Sequence, residues 1–490
     1  MVFYFYKHHA KKKMKKFTDG KLINIAFWIM FIILLLLFAF LCLHKLGEGA
    51  IQDWDEARHG VSAYEMVRNN EWVVTTYGNE IDYWNLKPPL SEWIIAFGYY
   101  IFGFSPFGMR IYSAIAMIST ALLSGIFAYK CGGKISALFV LLCFSGTGSL
   151  LFTHCTRTGD ADSLYILFYT AAVVALCNYC RRGDASLYWS CLFFSFAFLT
   201  KSWHAGCIGI FILTYLILSK KIFRFTFVNW ILCIVSAVGP IMLWAIARMA
   251  KDGTTFFEGM IEYDLLKRSS AALDGHVGGM GYYIEYLWGY RSFMILAIMT
   301  AFAAPLLLDK EKKDIVYVLG LSILVPLIIF SLANTKLSWY ILCIFPSLIL
   351  LASLGAAEIV KSSKKYVTGL LSISIPILML LWCVRLNVKT VINTGPGDGI
   401  TNAVFSMVSR TEQFSGKKIY KYVLGEERWE QSEFLSMELA GDMFPTNGGI
   451  EMWRADETAY LLTRTEYVSQ IDIENEIVSE EGTYCIVMHK

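Results

Sequence analysis

Apolar runs of about 17–24 residues, each long enough to cross a hydrocarbon core roughly 30 Å thick, recur along most of the chain. They lie near 22–43, 107–129, 134–153, 163–180, 186–200, 202–219, 226–248, 285–308, 315–333, 337–356 and 366–384. The pattern predicts a polytopic α-helical membrane protein of about 11–13 transmembrane helices. A further run, Ser91 to Phe104, covers only about 14 residues and carries Glu92. It reads as an in-plane or re-entrant helix, because counting it as a span would invert every later loop.

Two stretches break the apolar rhythm. The first is a polar loop at 44–106 holding an amphipathic run, Glu56 to Asn69, whose Ala57, Val61, Tyr64 and Val67 share a helical face. The second is the C-terminal part, 385–490, which contains no span. It alternates in short strands (Lys418 to Leu424, Ala459 to Thr465, Tyr484 to His489) around a helical stretch, Gln431 to Leu439. This predicts a small α/β domain outside the membrane, after a 22–384 transmembrane catalytic domain and a basic N-terminal tail at 1–21.

Composition agrees with the pattern. At 56% apolar and 17% charged residues the chain is too greasy for a soluble protein of this size. Its basic residues cluster between apolar runs: Lys11 to Lys16, Lys130 to Lys134, Arg181 and Arg182, Lys220 and Lys221, Lys310 to Lys313, Lys361 to Lys365. That is a topology signal and gives no reason to expect nucleic acid. With about eleven spans and a cytoplasmic N-terminus, every cluster falls inside, which makes the C-terminal domain extracytoplasmic; a small outer domain without an inserted soluble module favours a bacterial inner or plasma membrane. The first run is too long for a cleaved signal peptide and reads as an anchor. Cys485 is the one cysteine of the C-terminal region, so no disulfide forms within it, and Cys177 with Cys180 make a CxxC at a helix end without a second pair.

The same topology gathers the ionisable residues at the outer surface: Asp53, Asp55, Glu56, Arg58 and Lys87, then Arg157, Asp160 and Asp162, then Lys201 and His204, then His276, then Lys336 and Tyr340. Ionisable groups at a membrane are costly, roughly 2.5–3.5 kcal/mol each at a helix centre, so their concentration marks a site. Carboxylates, cations and Tyr above a floor of apolar helices suit a substrate that is half lipid and half polar, with the bilayer as a partner.

Six landmarks occur in order over residues 50–356: Asp55-Glu56-Ala57-Arg58; Lys87-Pro88-Pro89-Leu90; Arg157 five residues before Asp162; Phe198-Leu199-Thr200-Lys201; His276 ahead of Tyr282-Tyr283; and Thr335 to Tyr340 ahead of Pro346. In these the chain resembles the GT-C glycosyltransferases related to the aminoarabinose lipid A transferase and the protein O-mannosyltransferases. The resemblance implies a polyprenyl-phosphate-linked sugar as donor and a lipid, protein or glycan acceptor. It also implies inversion at the anomeric carbon, Asp55 as base and Lys87 on the donor phosphate. The chain departs from the family where His59 follows Arg58 and where Asp160 competes with Asp162 as the acid of the second loop.

Chemistry asks for the same groups. A hydroxyl attacking an anomeric carbon must lose its proton, which a carboxylate can take; Asp55 is the candidate, with Glu56, Asp160 and Asp162 as the other acids. The leaving phosphate gains negative charge, which calls for cations: Lys87, Arg58, Lys201, Lys336 and Arg157, with Tyr83 and Tyr340 as neutral donors and His276 nearby. Each residue has a plainer role available. Asp55 can cap the helix that follows it; Lys87 can snorkel to the interface; Lys201 can be a loop charge, His276 a solvated residue of a Gly-rich loop, and Arg157 with Asp162 a structural ion pair. None of the histidines has a compact ligand spacing, so no metal site is assigned; no cofactor is required, and a divalent cation is the one addition the chemistry could use. The competing functions are a hydrolase of lipid-linked sugars and a multi-span transporter, the latter disfavoured by the absence of repeated halves.

Overall fold

The computed structural model describes residues 2–271, 275, 277–307, 312–363, 366–396, 399–423 and 427–490. Among them, eight helical segments are long and apolar enough to cross a membrane. Two of the eight are interrupted. Pro106–Gly146 breaks at Gly133, whose φ of 80° suits glycine, and Ser186–Leu218 breaks at the 3₁₀ turn Ser202–Ala205. With these breaks counted, and with the shorter helix Arg291–Leu307 added, each apolar run of the sequence has a helix. The chain is a multi-pass membrane protein.

Burial ranks these helices. Ser338–Ser362 is 94% buried and sits at the centre, whereas Phe227–Asp252 is 11% buried and exposes Leu243, Ile246, Ile234 and Val235 while burying Trp244. An apolar helix with so little protein around it is suited to lipid contact. The first helix runs from Val2 to Leu43, because a Lys-rich stretch without Pro or an interior Gly–Pro break can extend the helix that follows. The last apolar helix, Ser374–Ile392, passes beyond 384.

The polar loop is built from three pieces: helix Asp55–Asn69, a short hairpin pairing Thr76–Tyr77 with Glu80–Ile81, and helix Leu90–Phe102. The last buries Ile95, Ala96 and Tyr99 and exposes Phe97, Tyr100, Ile101 and Phe102. That division fits a helix lying in the interface plane. It approaches the next helix closely at Gly98, where an added Cβ would stand 2.3 Å from the Gly108 carbonyl oxygen.

The C-terminal domain carries a five-stranded mixed sheet in the spatial order Phe444–Pro445, Lys418–Tyr422, Tyr460–Arg464, Tyr484–His489, Asn475–Glu481. The strands expected from alternation are present, and helix Gln431–Gly441 covers the expected stretch. This helix docks on Asp55–Asn69. Leu435 fills the space over Gly60, where a Cβ would lie 2.5 Å from it, and Phe434 stacks on Tyr77 with ring centroids 5.0 Å apart. Tyr64 and Arg68 contact the Asp442 carboxylate, and the backbone N–H of Ser432 donates to Asp53 Oδ1 at 2.9 Å. The domain therefore touches the loop that carries the acids.

Candidate active site

Asp55 opens its helix, but not as a cap. The N-cap position is Trp54, without a side-chain capping bond, in a backbone conformation of φ 67° and ψ −111° that L-residues rarely adopt. The Asp55 carboxylate instead lies 3.8 Å from the Lys87 ammonium, across the loop. Burial penalises the Asp55 charge, but Lys87 first, then His59, His154 and Lys201, outweigh the penalty and hold the carboxyl well below the ordinary Asp range. Burial likewise works against the Lys87 ammonium, and Asp55 with Asp264 outweigh it, holding the lysine above its ordinary value.

These two groups share a cavity of about 520 Å³ fed by six separate segments. Lys87, Lys201 and Arg268 bring positive charge to it, Asp53, Asp55 and Asp264 negative charge, and Trp54, Trp84, Trp339, Tyr263 and Tyr340 aromatic surface. Arg268 donates to the Tyr340 hydroxyl at 3.2 Å and its Nε stands 3.2 Å from Asp264 Oδ1. Lys201 pairs with Asp162 and lies 5.5 Å from the Tyr340 ring centroid. His154 stacks on Trp339 at 3.7 Å and holds its Nδ1 3.4 Å from Asp160 Oδ2. Burial lowers the proton affinity of His154, but Asp160 first, then Asp162 and Asp55, raise it above the ordinary value.

The sequence candidates separate into two groups. Asp55, Lys87, Lys201 and Tyr340 line the cavity, with Asp162 behind Lys201 and Asp160 behind His154. Both second-loop acids are therefore placed, each with its own cation. The expected Arg157–Asp162 pair does not form. Arg157 donates instead to the carbonyls of Leu41, Cys42 and Lys45, satisfying the end of the first helix, whose last carbonyls have no partner within it. Lys336 does the same at the end of Lys313–Leu332, reaching the Phe330, Ser331 and Ala333 carbonyls. Both satisfy helix-end carbonyls.

Glu56 and Arg58 are also committed elsewhere. Glu56 is fully buried and bound by Arg110 through Nε at 2.6 Å and Nη2 at 3.0 Å, and it accepts from the backbone N–H of Gln52 and Gly159. Arg110 spends its other donors on the carbonyls of Leu46, Gly49 and Ala50. Such a carboxylate is saturated with donors and is a poor base. Arg58 grips Asp82 with two hydrogen bonds of 2.9 and 2.7 Å and lies over Tyr77 and Trp84 at 4.4 and 4.5 Å, outside the cavity lining. Tyr83 is 40% exposed and is not part of the lining either. His276 lies outside the described residues.

Sequence reasoning missed Asp264, Arg268, Tyr263 and Trp339. A signal existed for the first two: an Asp and an Arg four residues apart, beyond a span, with Asp264 on the π-helix Met260–Lys267 and Arg268 directly after it. The tertiary structure also brings one ligand atom from each of Asp55, His154 and Asp160 within 4.8 Å of the others. Local spacing could not reveal that group, because Asp55 reaches it from another loop. Asp160 Oδ1 is buried there without a hydrogen-bond partner among the described residues.

Comparison with known proteins places this arrangement. The family model for dolichyl-phosphate-mannose-protein mannosyltransferase matches residues 86–247. The fold is similar to that of ArnT from Cupriavidus metallidurans bound to undecaprenyl phosphate, with a TM-score of 0.68 at 13% identity, covering 94% of this chain and 98% of that one. The chain has the ArnT fold. The likeness in fold extends to the oligosaccharyltransferase AglB from Archaeoglobus fulgidus, at a TM-score of 0.53 and 10% identity over 91% of this chain and 70% of that one. In sequence it is 28% identical over 350 residues to an undecaprenyl phosphate-alpha-4-amino-4-deoxy-L-arabinose arabinosyl transferase of Shewanella sediminis, covering 68% of this chain and 60% of that protein. It is 30% identical over 173 residues to an uncharacterised protein of Aquifex aeolicus, covering 35% of this chain and 34% of that protein. The chain thus spans less than two thirds of the length of either relative.

Proposed function

We propose that the protein is a membrane glycosyltransferase that moves a sugar from a polyprenyl-phosphate donor to a hydroxyl acceptor with inversion. The observation that carries this reading is the Asp55 carboxylate 3.8 Å from Lys87 on the wall of a cavity that Lys201 and Arg268 also line. A base and a phosphate-binding cation set at one site fit a reaction that deprotonates one oxygen while another takes up negative charge. The ArnT and AglB structures, bound to undecaprenyl phosphate and to a dolichol-phosphate, support the donor class.

In this mechanism the acceptor O–H bond breaks as its oxygen attacks the anomeric carbon, and the proton passes to Asp55. The bond from that carbon to the donor oxygen breaks on the opposite face, and its electron pair stays on the polyprenyl phosphate, where Lys87, Lys201 and Arg268 meet the added charge. Lys87 also sets the basicity of Asp55. In the resting enzyme it holds the carboxyl low; a phosphate arriving beside Lys87 draws on the same positive charge and raises the proton affinity of Asp55 when a substrate is present. No cofactor enters these steps. A divalent cation held by Asp55, His154 and Asp160 would make Asp55 a ligand in place of a base.

The charge clusters orient the cavity to the extracytoplasmic side, so a reporter active only outside the cytoplasm and fused after Lys490 should be active. Silence of that fusion would overturn the orientation. The donor is tested with purified protein in nanodiscs. Lys87→Ala should weaken undecaprenyl phosphate binding about tenfold or more and slow transfer, and Lys87→Arg should recover only part, since a planar fork and a compact ammonium do not sit alike. Unchanged affinity in Lys87→Ala removes the phosphate assignment. Release of free sugar without a glycosylated acceptor converts the reading to a hydrolase.

A further inference from the structure

Two tryptophans at the cavity have no part in the mechanism. Trp54 and Trp84 both line it, with ring centroids 5.9 Å apart at 35°, and they remain 57% and 44% exposed. Large aromatic faces left open beside a polar site lose the stabilisation that burial would give them, unless a ligand covers them.

Both rings are held in place. Arg58 lies over Trp84 at 4.5 Å and over Tyr77 at 4.4 Å while Asp82 grips its guanidinium. The backbone N–H of Trp84 donates to Asp82 Oδ1 at 2.8 Å. Trp54 takes the φ 67°, ψ −111° conformation, a strained one for a residue that carries a β-carbon. Its neighbours pin the strained turn: Asp53 through Ser432 N–H at 2.9 Å, and Glu56 through Arg110. The strained residue directly precedes Asp55.

We propose that Trp54 and Trp84 form an aromatic platform that seats a pyranose ring of the acceptor, so that the acceptor is a saccharide. This rests on the transferase reading above and names its second substrate. A hydroxyl delivered to Asp55 belongs to a group lying within reach of the preceding residue. When the hydroxyl sits directly on a sugar ring, that ring is what Trp54 meets. A pyranose pairs an apolar C–H face with a rim of hydroxyls. The first suits indole, and the second suits Asp53 and Asn85, polar residues that line the same cavity next in sequence to the two tryptophans. An acyl chain offers those polar groups no hydrogen-bonding partner. A Ser or Thr side chain would offer no flat apolar face.

The test uses the full chain in nanodiscs and saturation-transfer NMR with methyl glycosides of glucose, galactose, mannose and N-acetylglucosamine, alongside a Ser/Thr peptide. At least one glycoside should bind in wild type, with the strongest transfer on ring C–H protons. Trp54→Ala and Trp84→Ala should each weaken it about tenfold, and Trp54→Phe should restore most of the signal. Undecaprenyl phosphate affinity is measured on the same samples. If wild type binds the lipid but no glycoside, or if the alanine variants bind glycosides as well as wild type, the platform is overturned while the transferase reading stands. If the peptide binds in place of the glycosides and depends on Trp54, the acceptor is a protein and the proposal falls. Failure of wild type to bind the lipid overturns the transferase reading and the inference with it.

Discussion

Asp55 and Glu56 are adjacent in the chain and opposite in fate. Glu56 is fully buried, and its carboxylate is filled by Arg110 and two backbone N–H groups. Asp55 faces an open cavity and a single lysine 3.8 Å away. The first arrangement fixes the loop to the helix Pro106–Gly146 and to the second loop at Gly159; the second leaves a carboxylate with room for a substrate. A saturated acid holds structure, and an unsaturated one beside a cavity is available for chemistry.

The comparison can be tested by removing one acid at a time. The largest effect is expected at Asp55→Asn, which keeps size and polarity but cannot accept a proton. Transfer should fall by about 10²–10⁴ in a variant that still folds and inserts, and retained turnover in the purified variant would end the base assignment. Next is Glu56→Gln, which strands the Arg110 charge in a buried site and should cost about 3–5 kcal/mol of stability. Thermal unfolding in detergent measures it, and a double variant with Arg110→Leu should lose less than the sum of the two single changes. Additive losses would show that the pair does not act as a unit.

The smallest effect concerns pH. His154 is held above its ordinary proton affinity by Asp160, so its contribution to stability is complete below the unfolded value of about 6.5 and is lost as pH rises through the folded value. Asp55 runs the other way. Its folded value is depressed, so its contribution is present above about pH 4 and is lost as pH falls through the folded value. Melting temperature should therefore decline modestly on the alkaline side of about 6.5, and His154→Gln should flatten that decline. An identical profile in the variant would assign the slope to another group.

The spans, the in-plane helix Leu90–Phe102, the amphipathic helix after Trp54 and the C-terminal strands follow from apolar run length and from periods of 3.6 and 2. These are local quantities that hydrocarbon thickness and backbone geometry convert directly into structure. Asp55, Lys87, Lys201 and Tyr340 were legible because ionisable residues gather in loops of one parity. What sequence could not decide was partnership. Arg157 and Lys336 carry the same charge as Lys201, yet they satisfy helix-end carbonyls while Lys201 faces the cavity, and Glu56 is withdrawn by an arginine 54 positions away. Likewise Arg268 and Asp264 reach the site from a turn with no motif, and His154 meets Asp55 only across two loops. A charge in low dielectric is defined by what compensates it within a few ångströms, and that distance is fixed by the packing of helices remote in sequence.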